Sequence, residues 1–122
     1  MDISERLYNL SVLISRGRYR LGDEKACQED MANFLIAQGV PFYREHQLSD
    51  GIVDFYLPRS RIGIEVKVSK QWGKMDVYRQ CERYCEDPSV DALLLATASA
   101  QRLPELINQK PARVLLLSQT AL

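Results

Sequence analysis

Two short segments, Ile52-Val53-Asp54-Phe55-Tyr56-Leu57 and Ile62-Gly63-Ile64-Glu65-Val66-Lys67, decide the fold of this chain. The first is rich in β-forming residues and is followed by Pro58, and the second alternates apolar and other residues. Because side chains two apart in a strand share a face, Glu65 and Lys67 project to the same side. We therefore predict two neighbouring strands whose short connection places Asp54 close to the Glu65–Lys67 face.

The residues before this strand pair predict two helices and a further strand. Four apolar residues recur at helical spacing near the start of the chain: Ile3, Leu7, Leu10 and Ile14. The polar stretch 15–23, SRGRYRLGD, is typical of a loop. A second helix is predicted over 24–38, with Asp23 as its N-cap and Gly39 as its end, and 42–48 is predicted to be a short strand.

The residues after the strand pair complete the predicted order α-α-β-β-β-α-β-α-β. The predicted elements are a helix over 73–86, a strand over 90–97, a short helix over 104–108 and a strand over 114–117. The continuous apolar run from Val90 to Thr97 is typical of a strand buried on both faces. This order predicts an α/β domain with a mixed central sheet flanked by helices. We divide it into an N-terminal helix and basic loop (1–21), a core (22–97) and a C-terminal helix and strand (98–122).

The length and charge of the chain set limits on its function. A chain of 122 residues fits one domain, and its 16 basic and 16 acidic residues give no net charge. This balance argues against an extended basic DNA-binding surface, but acidic catalytic residues can cancel basic contact residues in the sum. No apolar run approaches the ~18 residues that span a membrane. We expect a cytoplasmic protein of a prokaryotic cell or phage-infected host, with no membrane contact.

Three cysteines, Cys27, Cys81 and Cys85, occur without a secretory signal. This indicates reduced thiols in a cytosolic setting. Cys81 and Cys85 are one helical turn apart and could in principle bind a metal with the third. We interpret all three as small buried hydrophobes.

Asp54, Glu65 and Lys67 are the residue types that phosphodiester cleavage requires. Two carboxylates that converge on Mg²⁺ form a hard, oxygen-rich site, and the metal polarises a phosphate and lowers the pKa of water. A nearby lysine can orient that water or stabilise the charge that develops on phosphorus. The spacing alone is equally compatible with a solvated sheet face that carries an ion pair.

The pattern Val53-Asp54, ten further residues, then Glu65-Val66-Lys67 resembles the PD-(D/E)XK nuclease superfamily. The predicted α-β-β-β-α-β order of the core is similar to the restriction-endonuclease-like core of that family. The resemblance implies a DNA phosphodiesterase in which Asp54 and Glu65 bind Mg²⁺ or Mn²⁺ and Lys67 assists catalysis. It also places Val66 at the metal site, and only Val53, where proline is nominal, departs from the signature.

Two flanking helices extend the resemblance. Members often carry a glutamate on the helix before the hairpin, and Glu24 and Glu29 are the candidates. We favour Glu24 as a metal-binding and catalytic residue. On the following helix, Gln80 and Tyr84 resemble the Q-x-x-x-Y motif of RecB-type nucleases, in which the two residues support the active site and contact DNA.

Several further residues have two interpretations. Glu45 either reaches the metal or pairs with a lysine, and we favour the structural role. Arg18 in the basic loop is a candidate phosphate contact or a solvated side chain, and Lys70 is a candidate DNA contact. Trp72 is expected to fill the space between strand and helix, with stacking on a base as the alternative. His46, the single histidine, is expected at a strand end rather than in catalysis.

Three hypotheses for the function follow. The first is a metal-dependent endo- or exodeoxyribonuclease, which can depend on a helicase or recombination partner for targeting. The second is a Holliday-junction resolvase, which needs a homodimer that the first helix could supply. The third is a non-catalytic nucleic-acid-binding or assembly module on the same fold, since function resides in the site and not in the fold. The sequence leaves open DNA or RNA and single-stranded, double-stranded or branched substrates.

Overall fold

The computed structural model describes residues 1–69 and 72–117 and shows a mixed α/β protein with a six-stranded sheet. The helices and strands, in chain order, are α1 (Ile3–Ser15), α2 (Glu24–Ala37), β1 (Tyr43–Leu48), β2 (Gly51–Leu57), β3 (Ile62–Lys67), α3 (Lys74–Glu86), β4 (Ala92–Thr97), β5 (Leu106–Ile107) and β6 (Lys110–Leu116). None of the helices in this described part is long and apolar enough to cross a membrane.

The sheet is mixed, with strand order β1-β2-β3-β4-β6-β5. β1, β2 and β3 form an antiparallel meander, and β4 and β6 then run parallel to β3. The connection through α3 joins β3 to the parallel strand β4, as a crossover between parallel strands requires. The carboxyl ends of β3 and β4 therefore lie side by side, with Lys67 paired in register with Thr97.

Helices cover both faces of this sheet. α1 and α2 pack on one face through a core that includes Phe55, Ile64 and Leu94. α3 packs on the other face, against Val53 and Leu93 among others. Every residue of β4 is buried, which confirms the prediction of a strand enclosed on both sides.

The apolar stripe of α1 is part of the core. Leu7, Leu10 and Ile14 are buried in the same cluster as α2. The N-terminal turn is capped by Asp2, whose carboxylate accepts the Glu5 N–H at 2.8 Å. Since the apolar stripe of α1 packs inside the protein, a homodimer formed through α1 would have to use the opposite face of this helix.

The predicted helix over 104–108 is wrong, and the C-terminal part is a β-hairpin of β5 and β6. Leu106 pairs with Pro111 and Ile107 with Lys110 around a two-residue turn. Both turn residues, Asn108 (φ 51°) and Gln109 (φ 62°), have left-handed backbones, as a tight hairpin turn requires. The Asn108 side chain donates a hydrogen bond to the Cys85 carbonyl at 3.1 Å, which fastens the turn to the end of α3.

Candidate active site

The centre of the candidate site is the place where β2 and β3 stop pairing through their backbones. Their ladder runs from Leu57–Ile62 to Phe55–Ile64, and Asp54 and Glu65 occupy the next position in this register. There the Asp54 N–H donates to Glu65 Oε1 at 3.2 Å, and the Val66 N–H donates to Asp54 Oδ2 at 2.7 Å. The two carboxylates thus take the place of backbone acceptors and are fixed by the strands that carry them.

Lys67 lies beside Glu65, as their alternation in β3 predicts. Its Nζ is 3.1 Å from Glu65 Oε2, and the two side chains are only 8% and 3% exposed. Lys67 Nζ also lies 3.9 Å from the centre of the Trp72 ring, a cation–π distance. A lysine held between a carboxylate and an indole has a defined position at the end of β3.

Glu24, the first residue of α2, completes the acidic group. Its Oε1 accepts the Val68 N–H at 3.1 Å, just beyond the end of β3. Asp23 caps this helix by accepting the Ala26 N–H, which fixes the turn that presents Glu24. Glu29 instead makes an exposed ion pair with Arg44 at 2.9 Å. The structure therefore brings Glu24, and not Glu29, to the end of β3.

The charges in this cluster are not balanced. Burial raises the pKa of Asp54, the charge of Glu24 raises it further, and the Val66 N–H and Lys67 oppose the rise. Burial and then the charge of Asp54 raise the pKa of Glu65 to about 8, against the opposing effect of Lys67. Among residues 1–69 and 72–117, the three carboxylates thus share one ammonium group, so the cluster favours an added positive charge.

α3 supports the site from the other side of the strands. Tyr84 is 1% exposed, and its hydroxyl donates to the Ile52 carbonyl at 2.7 Å, which holds the start of β2. Burial raises the pKa of Tyr84, and the charges of Glu65 and Asp54 raise it further. Gln80, one turn earlier, is half-buried on this helix. Tyr84 is therefore a neighbour of the acidic pair, and its hydroxyl is engaged with backbone.

The three cysteines are buried and free, as the interpretation of them as small hydrophobes predicts. Burial raises the pKa of Cys81 to about 12, and the charge of Glu65 adds to the rise. Burial and a raised pKa are typical of cysteines that pack as small apolar side chains and not of reactive thiols.

Other candidates from the sequence lie apart from this cluster. Glu45 is exposed in β1 with a left-handed backbone (φ 48°), and Arg18 is exposed in the loop before α2. His46 lies within β1 and not at its end, and its ring stacks with two tyrosine rings, at 5.5 Å from Tyr43 and 4.7 Å from Tyr56, which fits a structural role. Lys70 lies outside the described residues.

The side chains of Val66 and Trp72 have contrasting surroundings, one buried and one exposed. The Val66 side chain is buried in the core on the α1–α2 face, so only its backbone takes part in the site. Trp72 is 46% exposed, so the expectation that it fills the space between strand and helix is wrong. The indole ring contacts the Lys67 ammonium group, and much of the surface of Trp72 stays accessible to solvent.

One component of the site has no sequence motif, a pocket of about 230 Å³ next to Lys67. Its lining includes Thr97, which ends β4 opposite Lys67, and Gln101, which lies on the segment after β4. The only available signal was the change from apolar to polar residues at the end of β4. That change marks the carboxyl end of a buried strand, where ligands often bind in open α/β sheets.

Within residues 1–69 and 72–117, no group of three or more His, Cys, Asp or Glu side chains has the spacing of a ready-made metal cage. Mg²⁺, however, is commonly held by one or two carboxylates and keeps several waters. The hydrogen bonds described above use one oxygen each of Asp54 and Glu24. The donor set therefore fits a water-rich magnesium-type site better than a closed structural one.

Comparisons of the chain with protein-family models, with curated proteins and with solved structures gave no match.

Proposed function

We propose that this protein is a metal-dependent nuclease that hydrolyses DNA phosphodiester bonds, of the PD-(D/E)XK type. The observation that carries this proposal is the arrangement at the split of β2 and β3. Asp54 and Glu65 are linked there through backbone hydrogen bonds, and Lys67 Nζ lies 3.1 Å from Glu65 Oε2. A surface ion pair would not need a second carboxylate, and it would not need to be buried.

The order of the elements supports the same proposal. α2, β1, β2, β3, α3 and β4 follow the α-β-β-β-α-β order implied by the resemblance to PD-(D/E)XK nucleases. The signature residues lie on β2 and β3, with Glu24 on the preceding helix and Tyr84 on the following one. Five residues singled out by the resemblance, Asp54, Glu65, Lys67, Glu24 and Tyr84, thus lie on or beside the same pair of strands.

Asp54 and Glu65 are the residues that would hold Mg²⁺ or Mn²⁺, with Glu24 next to them. Val66 can contribute only its backbone carbonyl oxygen. The excess negative charge of the cluster is the physical reason for a divalent cation there, since added positive charge relieves the repulsion between Asp54 and Glu65. The chemistry such a cation supplies is polarisation of a phosphate oxygen and a lower pKa for water.

Lys67 then has a defined role in the proposed reaction. Its ammonium group is buried, so its interaction with charge on a phosphate is less screened than it would be in water. It can donate to the attacking water or to the phosphate oxygen on which negative charge develops. Glu65 and the Trp72 ring hold Lys67 in place without placing another cation beside it.

The test is cleavage of linear, circular, single-stranded and branched DNA in Mg²⁺ and in Mn²⁺. We expect metal-dependent cleavage that Lys67→Ala lowers at least about a hundredfold, the usual cost of removing a group that stabilises transition-state charge. Arg83→Ala is the matched control, because Arg83 is an exposed basic residue in the last turn of α3. It is expected to leave the rate unchanged.

Full cleavage by highly purified Lys67→Ala would contradict the assignment. Calorimetry gives an independent measurement, since Asp54→Asn should weaken Mn²⁺ binding. A wild-type protein that binds neither Mg²⁺ nor Mn²⁺, with or without DNA, would instead point to a non-catalytic module.

A further inference from the structure

The pocket beside Lys67 lies where the substrate of the proposed nuclease would extend away from the scissile phosphate. It lies at the carboxyl ends of β3 and β4, between these strands and the start of α3. Lys67, Trp72 and Thr97 line it, so one residue, Lys67, belongs both to the pocket and to the acidic cluster. A ligand in the pocket would therefore contact the same lysine as a phosphate at the site.

The lining of the pocket combines one aromatic ring with polar and basic groups. Lys67 and Lys74 supply positive charge, and Val77 adds an apolar wall. Gln101 donates from its side chain to the Lys74 carbonyl at 3.3 Å, which connects the segment after β4 to the start of α3. None of the described lining residues is acidic, in contrast to the three carboxylates on the other side of Lys67.

These features match a nucleotide. A nucleobase stacks on an exposed indole without regard to its sequence, and the attached phosphates are attracted to lysines. Trp72 is 46% exposed, so part of its surface is available for such stacking. The hydroxyl and amide groups of Thr97 and Gln101 add polar partners for base edges or sugar.

We propose that this pocket binds an unpaired nucleotide adjacent to the scissile phosphate, so that single-stranded DNA or an unpaired end is the preferred substrate. The inference rests on the proposed nuclease function. A base that is paired and stacked in a duplex does not expose its face, and moving it into a pocket requires that it first be unpaired and unstacked. An already unpaired nucleotide avoids that cost.

The single tryptophan of the chain provides a direct measurement. The protein, in EDTA, is titrated with a ten-residue oligothymidylate. In a second titration it receives the same strand paired with oligoadenylate. We expect saturable quenching of Trp72 fluorescence by the single strand and much weaker quenching by the duplex. Equal quenching by both, or none by either, would overturn the proposal.

Variants test whether the ring itself binds the base. Trp72→Ala is expected to weaken binding of fluorescently labelled oligothymidylate about tenfold, as loss of one stacking partner does, whereas Trp72→Phe retains most of the affinity. Met75→Ala is the matched control, because Met75 is 58% exposed on α3 and does not line this pocket. Unchanged affinity in Trp72→Ala would overturn the proposal.

Binding and cleavage are measured separately, so the two proposals fail in different ways. Quenching by single strands without cleavage in Mg²⁺ or Mn²⁺ would support the pocket and contradict the nuclease. Metal-dependent cleavage with no preference for single strands, and with no effect of Trp72→Ala, would support the nuclease and contradict the pocket.

Discussion

Asp87 and the Asp54–Glu65 pair are acidic sites in one small domain, and the fold treats them in opposite ways. Asp87 Oδ2 accepts the Ser49 N–H and hydroxyl, each at 2.6 Å, and its Oδ1 accepts those of Ser89 at 2.8 and 2.5 Å. Burial by itself would raise the pKa of Asp87, but these hydrogen bonds outweigh it and hold the pKa well below 3.8.

Asp54 and Glu65 have fewer donors among the residues that the structure describes. Each accepts one backbone N–H, and Lys67 is the single cation in contact with Glu65 in the described part of the chain. The pKa of each carboxyl group is therefore raised by burial, with a further rise in Glu65 from the charge of Asp54. The comparison teaches that the number of donors decides whether hydrogen bonding or burial sets the direction in which the pKa of a carboxyl group moves. Carboxyl groups with perturbed pKa values are common at functional sites.

Removing the satisfied carboxylate should have the largest effect on stability. Asp87 joins the turn after β1 to the end of α3, residues that are 38 apart in the chain. We expect Asp87→Ala to lower the free energy of unfolding by about 3 kcal/mol, because the donors of Ser49 and Ser89 lose a charged acceptor. Urea unfolding at pH 7 measures this loss.

Asp91→Ala is the control for this change. Asp91 pairs with Arg61 at 2.9 Å, but both side chains are more than 40% exposed. Loss of this ion pair should lower the free energy of unfolding by less than about 1 kcal/mol. Equal effects of Asp87→Ala and Asp91→Ala would contradict the distinction between a satisfied buried carboxylate and a surface one.

Protonation of Asp87 in acid should also lower the free energy of unfolding, by less than the alanine substitution does. The folded-state pKa of Asp87 lies below the ordinary value of 3.8, so its ionised form is favoured in the folded protein. The stability it contributes is present above pH ~4 and is lost as the pH falls through the lower folded-state value. In Asp87→Asn this part of the decline should disappear from urea unfolding curves recorded between pH 5 and pH 2. Parallel declines in the two proteins would show that other groups cause the acid loss.

Neutralising Glu65 should have the smallest effect on stability. Glu65→Gln keeps the shape of the side chain and removes a buried negative charge that Asp54 opposes, but it also replaces one of the two oxygens that accept from the Asp54 N–H and from Lys67. Because these effects oppose each other, we expect the free energy of unfolding of the metal-free protein in EDTA at pH 8 to change by no more than about 0.5 kcal/mol. The same variant should lose cleavage.

Glu5→Gln, an exposed change on α1, is the control and should shift stability by no more than about 0.5 kcal/mol. A loss of stability in Glu65→Gln larger than this would mean that Glu65 holds the strands together, and that its charge is structural.

The elements that the sequence predicts well are those with a strong local pattern. The alternation of 61–68 and the apolar run of 90–97 identify β3 and β4, and Asp23 marks the start of α2. The hairpin of β5 and β6 was missed because Pro104 also suits the first turn of a helix, and the short strand Leu106–Ile107 has no pattern of its own. Its identity depends on pairing with β6.

The candidate site shows the same division. The sequence predicts that Glu65 and Lys67 share a face, because strand geometry alone determines this. It does not decide between Glu24 and Glu29. That choice depends on where α2 lies against β3, and Glu24 meets the Val68 N–H across 44 residues of chain.

By itself, then, the sequence determined the residue types, their faces on the strands around the site and the order of the elements as far as β4, because propensity and periodicity act over a few residues. The tertiary structure alone decided which carboxylates find many donors, as Asp87 does, and which find few, as Asp54 and Glu65 do among the described residues. It also left the Trp72 ring partly open beside Lys67. These properties depend on contacts between distant segments, and burial changes the free energy of a charge only after those segments have packed together.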